Sequence, residues 1–316
     1  YILWYLMDFV CYNCEIFQGV TKKGNIREYC IYKLPACVNN ICRYIQASAE
    51  YKGVEIYSMR TDSIGFLDSG FGGITVLSEA LRQLPNENYI YYADNEHVPY
   101  GTKSKEEVHN YVFKAVEFLI GKGIKALVIA CNTATSIAVK DLRNKYTFPI
   151  IGMEPAVKPA VENGNGKRVL VLATPLTLKE EKFQNLVRKV DHEHVVDYLA
   201  FPELVELAEN MIFDRERVIP VIKGKLAGYD LQNYKTFVLG CTHFPIYKNI
   251  FKHILPDHID VIDGSKGTVR YLKRLMEERD ILNTGTQPGQ IEFYDSGNKI
   301  ESEERLNIFK RLLTEC

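Results

Sequence analysis

Two cysteines stand in nearly matching settings in this 316-residue chain. Cys131 follows the apolar run 126–130, and Cys241 follows the apolar run 237–240. Polar residues come next in both places, Asn-Thr-Ala-Thr after the first cysteine and Thr-His after the second. The pattern predicts a thiol where a buried strand ends, the edge at which open α/β sheets bind ligands. Two thiols facing one pocket would suit a reaction that needs a base on each side of one carbon atom.

A purely structural role for each thiol is the alternative. Free cysteine is among the most buried residue types and usually behaves as a small hydrophobic side chain. Core packing does not need the polar residues that follow, which are Asn132, Thr133 and Thr135 in one turn and Thr242 and His243 in the other. Those residues favour the chemical interpretation.

Composition narrows the classes of function. The 39 basic and 40 acidic residues are mixed along the chain and leave a net charge of −1, which gives no electrostatic sign of nucleic-acid binding. The length suits two domains of ordinary size. A small metabolite is therefore the expected ligand, and neither nucleic acid nor a membrane is expected as a direct partner.

The first 58 residues differ from the rest. They hold five of the eight cysteines and the only tryptophan, and no histidine. Cys11 and Cys14 have the spacing of half a zinc site, but Cys30, Cys37 and Cys42 supply no second pair at such spacing. Met59 directly precedes a strand-forming run, so the working protein is predicted to start there. Residues 1–58 are then an upstream extension, either translated non-coding sequence or disordered chain.

From Met59 onward, short apolar runs alternate with longer amphipathic stretches, which predicts a parallel α/β architecture. Strands are predicted at 64–67, 89–93, 126–130, 150–152, 168–173, 195–199, 236–239, 261–263 and 291–294. Apolar residues at three- and four-residue spacing predict helices at 108–120, 179–190, 204–212 and 269–278.

A glycine-rich turn, Asp68-Ser-Gly-Phe-Gly-Gly73, connects the first predicted strand to a helix. Its glycines permit close approach of the backbone to a ligand, and the following helix N-terminus attracts anions. Thr75 stands where a dinucleotide fingerprint needs its third glycine, and no Gly-Lys-Ser/Thr follows for a P-loop. A tight structural turn capped by Asp68 is the alternative.

Five motifs resemble, in order and spacing, those of the bacterial glutamate racemases of the aspartate/glutamate racemase family. The resemblance runs from Met59 to near the C-terminus. The motifs are Asp68-Ser-Gly-Phe-Gly-Gly-Ile-Thr-Val-Leu77, Pro99-Tyr-Gly101, Ala130-Cys-Asn-Thr-Ala-Thr135, Gly152-Met-Glu-Pro-Ala156 and Leu239-Gly-Cys-Thr-His-Phe-Pro245.

The resemblance implies an α/β fold of two pseudo-symmetric flavodoxin-like lobes with mainly parallel sheets, with the active site in the cleft between them. Lobe one would comprise residues 59–155 and 266–316, and lobe two residues 156–265. The implied enzyme is an isomerase without cofactor or metal, cytoplasmic and homodimeric, that supplies D-glutamate for peptidoglycan.

The resemblance also implies a two-base interconversion of L- and D-glutamate. Cys131 would take the proton from D-glutamate and Cys241 from L-glutamate. An unperturbed cysteine has a pKa of about 8.5, so each thiol needs help to ionise or to keep its proton. Asp68 would help Cys131, and His243 would help Cys241 with Glu209 behind it. Glu206 is the competing choice for that carboxylate.

The motifs offer neutral donors and backbone amides, and no arginine, for the two substrate carboxylates. Such donors also favour an enolate-like transition state. Asp94 resembles a further acid at the edge of the family site. The residues expected to bind substrate are Asp68, Ser69, Tyr100, Gly101, Asn132, Thr133, Thr135, Thr242 and His243.

Three other functions remain open. Aspartate racemase shares the two-cysteine logic, but that branch typically carries Glu at the position of His243. An inactive relative that binds DNA gyrase would not need both cysteines. A hydrolase built on Cys241 and His243 would leave Cys131 without a role.

Overall fold

The computed structural model describes residues 60–315. The predicted start at Met59 and the predicted zinc-like cysteines of the N-terminal extension lie outside the described residues. Those predictions are therefore not tested by the structure.

A six-stranded sheet forms the first half of the fold. Its strands are β1 Ser63–Asp68, β2 Tyr89–Ala93, β3 Ile124–Ile129, β4 Ile150–Gly152, β9 Ile291–Asp295 and β10 Asn298–Lys299. They lie in the order β10-β9-β2-β1-β3-β4. Every pair is parallel except β9 and β10. The chain thus returns from its C-terminal part to pair β9 with β2.

A four-stranded parallel sheet forms the second half. Its strands are β5 Arg168–Ala173, β6 Val196–Ala200, β7 Tyr234–Leu239 and β8 Asp260–Asp263, in the order β6-β5-β7-β8. When the first four strands of each sheet are numbered by their order in the chain, they lie side by side in the order 2-1-3-4, as in flavodoxin-like folds. The predicted α/β fold of two pseudo-symmetric lobes is confirmed, while the exact lobe boundaries stay a prediction.

Helices cover both sheets. They are α1 Ile74–Gln83, α2 Lys105–Gly121, α3 Asn132–Lys145, α4 Val157–Glu162, α5 Pro175–Lys179, α6 Glu181–Val190, α7 Pro202–Glu209, α8 Arg215–Leu226, α9 Lys248–Ile254, α10 Ser265–Glu278 and α11 Glu303–Glu315. Short 3₁₀ turns lie at Tyr100–Thr102, Leu231–Asn233 and Phe244–Tyr247. Because helices lie on both faces, β1, β3, β5 and β7 are buried along nearly their whole length.

The nine predicted strands are present within one or two residues of their predicted ends, and β10 is an additional short one. The helix predicted at 179–190 is present as α6 and starts two residues later, at Glu181, because the extended backbone of Glu180 separates α5 from α6. The helix predicted at 204–212 ends at Glu209, because Met211 has a positive φ of 55°. The helix predicted at 108–120 starts earlier, at Lys105, behind a capping box between Ser104 and Glu107.

Candidate active site

Equivalent strands of the two sheets deliver the two thiols. Cys131 and Cys241 lie two residues after the ends of β3 and β7, and each of these is the third strand of its sheet in chain order. Both are free and buried. Cys131 is also the N-cap of α3, and its sulfur accepts a hydrogen bond from the amide of Ala134 at 3.4 Å. The matching settings seen in the sequence are therefore matching positions in the fold.

The turn after β1 connects the surroundings of the two thiols. Asp68 ends β1 in the first sheet, and the hydroxyl of Thr242, the neighbour of Cys241, donates to its two carboxylate oxygens at 3.2 Å each. The hydroxyl of Ser69 hydrogen-bonds to the sulfur of Cys131. The strand ends of both sheets therefore meet at one site.

Asp68 is fully buried and also accepts a hydrogen bond from the amide of Gly73 at 2.8 Å. Burial raises the pKa of Asp68 to about 6. The positive charge of His243 and the hydrogen bond from Gly73 oppose that rise without cancelling it. This carboxyl group therefore titrates close to neutral pH.

Cys131 is held in its thiol form. Burial raises the pKa of Cys131 to about 12, and the negative charge of Asp68 adds to the rise. The hydrogen bonds from the Ala134 amide and the Ser69 hydroxyl act in the opposite direction but are weaker. At neutral pH this side of the site can donate a proton.

The His243 ring lies between the sulfur of Cys241 and the carboxylate of Glu209. That sulfur lies 3.7 Å from Nδ1 of His243, and Nε2 of the same ring lies 2.5 Å from Oε1 of Glu209. Burial alone would lower the pKa of His243, but the interactions with the Cys241 sulfur and the Glu209 carboxylate outweigh it and raise the pKa well above its ordinary value. A protonated imidazole ring therefore lies next to the Cys241 sulfur.

The glycine-rich turn lies against this histidine. A Cβ atom on Gly72 would come within 2.7 Å of Nδ1 of His243, so only glycine fits there without moving the ring. Phe71 packs edge-on against the same ring, with ring centroids 5.4 Å apart. The orientation of His243 between Cys241 and Glu209 is therefore set by packing from the first sheet.

Among the predicted binding residues, Asn132 has a side chain whose polar atoms lack hydrogen-bond partners within the described residues. The residue is only 4% exposed, and neither its side-chain oxygen nor its side-chain nitrogen has a hydrogen-bond partner. Buried amide groups are rarely left unpaired, because the loss of hydration is costly. The predicted role of Asn132 in substrate binding stays a prediction, for which these two atoms have free hydrogen-bonding capacity.

Three threonine hydroxyls form a closed triangle beside this residue. Thr133 lies 3.0 Å from Thr174 and 2.9 Å from Thr177, and the latter two are 2.9 Å apart. Sequence analysis predicted Thr133 and missed Thr174 and Thr177. A signal existed, because Thr174 directly follows β5, the first strand of its sheet, much as Asp68 ends β1.

Comparison with known proteins identifies the family of this arrangement. The sequence profile of the Asp/Glu/Hydantoin racemase family matches residues 73–272. The chain belongs to that family. It is 60% identical over 252 residues to a glutamate racemase of Halothermothrix orenii, covering 80% of this chain and 99% of that protein. It is 55% identical to glutamate racemase 2 of Bacillus subtilis, covering 79% and 94%.

Solved structures agree with the sequence relatives. The crystal structure of glutamate racemase isoform RacE1 from Bacillus anthracis matches with a TM-score of 0.72 and 32% identity, covering 81% of this chain and 95% of that one. A glutamate racemase from Francisella tularensis, solved in complex with D-glutamate, matches with a TM-score of 0.69 and 29% identity, covering 81% and 94%. The predicted resemblance and the predicted class, an amino-acid racemase, are confirmed.

Two further predicted binding residues of this racemase are engaged with the protein itself. The Thr135 hydroxyl donates to the carbonyl of Ile129 at 3.1 Å, which ties α3 back to β3. The Tyr100 hydroxyl donates to Asp94 at 2.5 Å. A substrate-binding role for either side chain stays a prediction.

Of the two candidate carboxylates for His243, Glu209 and Glu206, the structure places Glu209 against the ring. Glu209 contacts the ring, whereas the described contact of Glu206 is the acceptance of hydrogen bonds from Asn210 by its backbone carbonyl.

Within residues 60–315 no group of three or more His, Cys, Asp or Glu side chains could hold a metal ion. No helix in the same part of the racemase is long and apolar enough to cross a membrane.

Proposed function

We propose that this racemase interconverts L- and D-glutamate by a two-base mechanism in which Cys131 and Cys241 act on opposite faces of Cα. The observation that carries the proposal is the opposite electrostatic setting of two buried thiols at equivalent strand ends. An anionic carboxylate next to Cys131 favours the thiol, and a cationic imidazolium lies 3.7 Å from the sulfur of Cys241. Relatives named glutamate racemase support the choice of substrate.

The free enzyme is then in the state that accepts L-glutamate. The Cys241 thiolate removes the Cα proton from one face, and the Cys131 thiol delivers a proton to the other. The reverse reaction needs a thiolate at Cys131, which the charge of Asp68 opposes. The substrate ammonium next to Asp68 would neutralise that charge and so lower the cost of ionising Cys131.

Neutral donors hold the two carboxylates of the substrate in this proposal. Asn132 offers an unpaired amide, and Gly101 offers its backbone amide. Thr133 and Thr242 offer hydroxyls that exchange their present partners, Thr174 or Thr177 and Asp68 respectively, for the substrate. Fixed donors in a buried site stabilise the negative charge that develops on the carboxylate during proton removal. The proposed roles of Ser69 and Asp68 are hydrogen bonding to Cys131 and pairing with the ammonium.

Racemisation in deuterated water tests the mechanism. The product enantiomer should carry deuterium at Cα, without added cofactor and with a chelator present. Cys131→Ala and Cys241→Ala should each lose racemisation by at least about 10²–10⁴-fold. Each variant should still exchange the Cα hydrogen of the one enantiomer that its remaining thiol faces. Racemisation that survives either substitution, or products that fully retain the substrate hydrogen, would reject the two-base assignment.

Aspartate offered in the same assay separates the two racemase candidates, since the proposal expects turnover of glutamate and not of aspartate. We further propose that the D-glutamate serves peptidoglycan synthesis and that the enzyme is a homodimer. The gene should relieve a bacterial requirement for D-glutamate. Light scattering should give twice the mass of the chain.

A further inference from the structure

The loop that follows β2 contains a histidine outside the predicted site. The loop is anchored at its start, where the amide of Asp94 donates to the carbonyl of Asp68 at 3.0 Å. The buried carboxylate of Asp94 accepts the Tyr100 hydroxyl at 2.5 Å. Nδ1 of His97 lies 2.9 and 3.0 Å from the two oxygens of the same carboxylate. One carboxylate therefore joins His97 to Tyr100.

His97 is fixed from both sides. Its ring stacks on Tyr111 of α2, with centroids 3.8 Å apart and ring planes 22° from parallel. Asp94 contacts the edge of the ring at Nδ1. Since an ionised carboxylate only accepts hydrogen bonds, Nδ1 carries the hydrogen in this contact. The side chain is 29% exposed, so the contact is partly shielded from water.

The other end of this hydrogen-bond chain lies against the second lobe. Burial, followed by the charge of Asp94, raises the pKa of Tyr100 far above its ordinary value, so the phenol remains a donor. The next residue, Gly101, packs so tightly on Thr174 that an added Cβ would lie 2.6 Å from the Thr174 Cβ. The Tyr100–Thr102 turn is therefore held between Asp94 and the end of β5.

We propose that His97 is a positioning residue for substrate binding. It orients the Asp94 carboxylate, which holds Tyr100, and the two together set the position of the Gly101 amide. The inference rests on the proposed function, in which that amide binds a substrate carboxylate. We assign the Gly101 amide to the side-chain carboxylate of the substrate, which is remote from Cα and develops no charge during proton removal, so the turn stabilises bound substrate and transition state about equally. Its loss should raise KM and leave kcat nearly unchanged.

Two substitutions separate the hydrogen bond of His97 from its stacking. His97→Phe keeps an aromatic ring over Tyr111 and removes the donor to Asp94. His97→Gln keeps a donor and removes the ring. We expect His97→Phe to raise KM for both enantiomers about tenfold, the scale of one hydrogen bond to a charged group, with kcat within about twofold. His97→Gln should lie much closer to the wild type.

A double substitution tests whether His97 and Tyr100 act through the same chain of hydrogen bonds. Tyr100→Phe should resemble His97→Phe, and the pair together should exceed either by little, because both break the same support. Thermal unfolding of each variant provides the folded fraction. A mere loss of folded protein would lower apparent kcat and leave KM unchanged, which is the opposite of the expected result.

The outcomes that overturn the inference are specific. They are an unchanged KM in His97→Phe, equal losses in His97→Phe and His97→Gln, or a fall in kcat alone. Wild-type turnover of glutamate in the same assay distinguishes the two failures. With wild-type turnover intact, those outcomes reject only the role of His97; without it, the proposed function fails and the inference fails with it.

Discussion

Asp68 is expected to cost the fold stability at neutral pH. Its pKa is about 6 in the folded protein against an ordinary value of 3.8, because burial penalises the carboxylate. A raised carboxyl pKa means that the folded state binds the proton more tightly than the unfolded state. The cost is therefore absent below pH 3.8, grows as the pH rises, and is complete above about pH 6.

The size of the effect follows from the two pKa values. One pKa unit corresponds to about 1.4 kcal/mol, so the cost reaches about 3 kcal/mol at pH 7.5 and about half of that at pH 5. Asp68→Asn keeps an oxygen that can accept from Gly73 and Thr242 and removes the buried charge. The variant should therefore be more stable than the wild type at pH 7.5, by about 1–3 kcal/mol, and nearly inactive.

Urea unfolding at pH 7.5 and pH 5 measures this effect. Asp263 provides the comparison, because it is a partly buried aspartate at the end of strand β8. Burial raises its pKa, but the charge of Lys248 and the hydrogen bonds from Ser265 outweigh burial and lower it overall. Asp263→Asn should therefore destabilise the protein at pH 7.5. The reasoning fails if Asp68→Asn is less stable than the wild type at pH 7.5, or if its gain is larger at pH 5.

Three further predictions concern the imidazole side of the site and the N-terminal segment. His243→Asn should lower kcat from L to D by about tenfold or more, and from D to L by less, because only the first direction starts from the Cys241 thiolate. Polarimetry at saturating substrate measures both directions, and equal slowing of the two would contradict this prediction. Glu209→Gln should show the same direction bias more weakly, since a neutral acceptor replaces a charged one 2.5 Å from the ring, whereas Glu206→Gln should leave both rates unchanged. Removing residues 1–58 should preserve turnover and the thermal unfolding temperature, because every proposed site residue lies at Asp68 or later. An inactive or insoluble product would show that the segment belongs to the enzyme.

Local sequence was sufficient to predict the strands and the two cysteine turns. A strand buried on both faces needs a continuous apolar run, and such runs are visible without knowledge of the partner strands. The ends of those runs then marked Asp68, Cys131 and Cys241, because each thiol or carboxyl is adjacent in sequence to the strand that positions it. Helix ends were less predictable. The break at Glu180 and the stop after Glu209 depend on backbone conformations that the apolar pattern does not encode.

Tertiary structure decided which groups meet and what charge they carry. The bond from Thr242 to Asp68, the Thr133 triangle with Thr174 and Thr177, and the link from His97 through Asp94 all depend on the packing of separate segments. The two thiols look alike in the sequence, since each follows an apolar run. Their different surroundings arise from groups on other strands and helices: burial and the charge of Asp68 raise the pKa of Cys131, whereas the Glu209-bound ring of His243 lies beside Cys241. Electrostatic energies depend on distance and on exclusion of water, and neither quantity exists until the chain has folded.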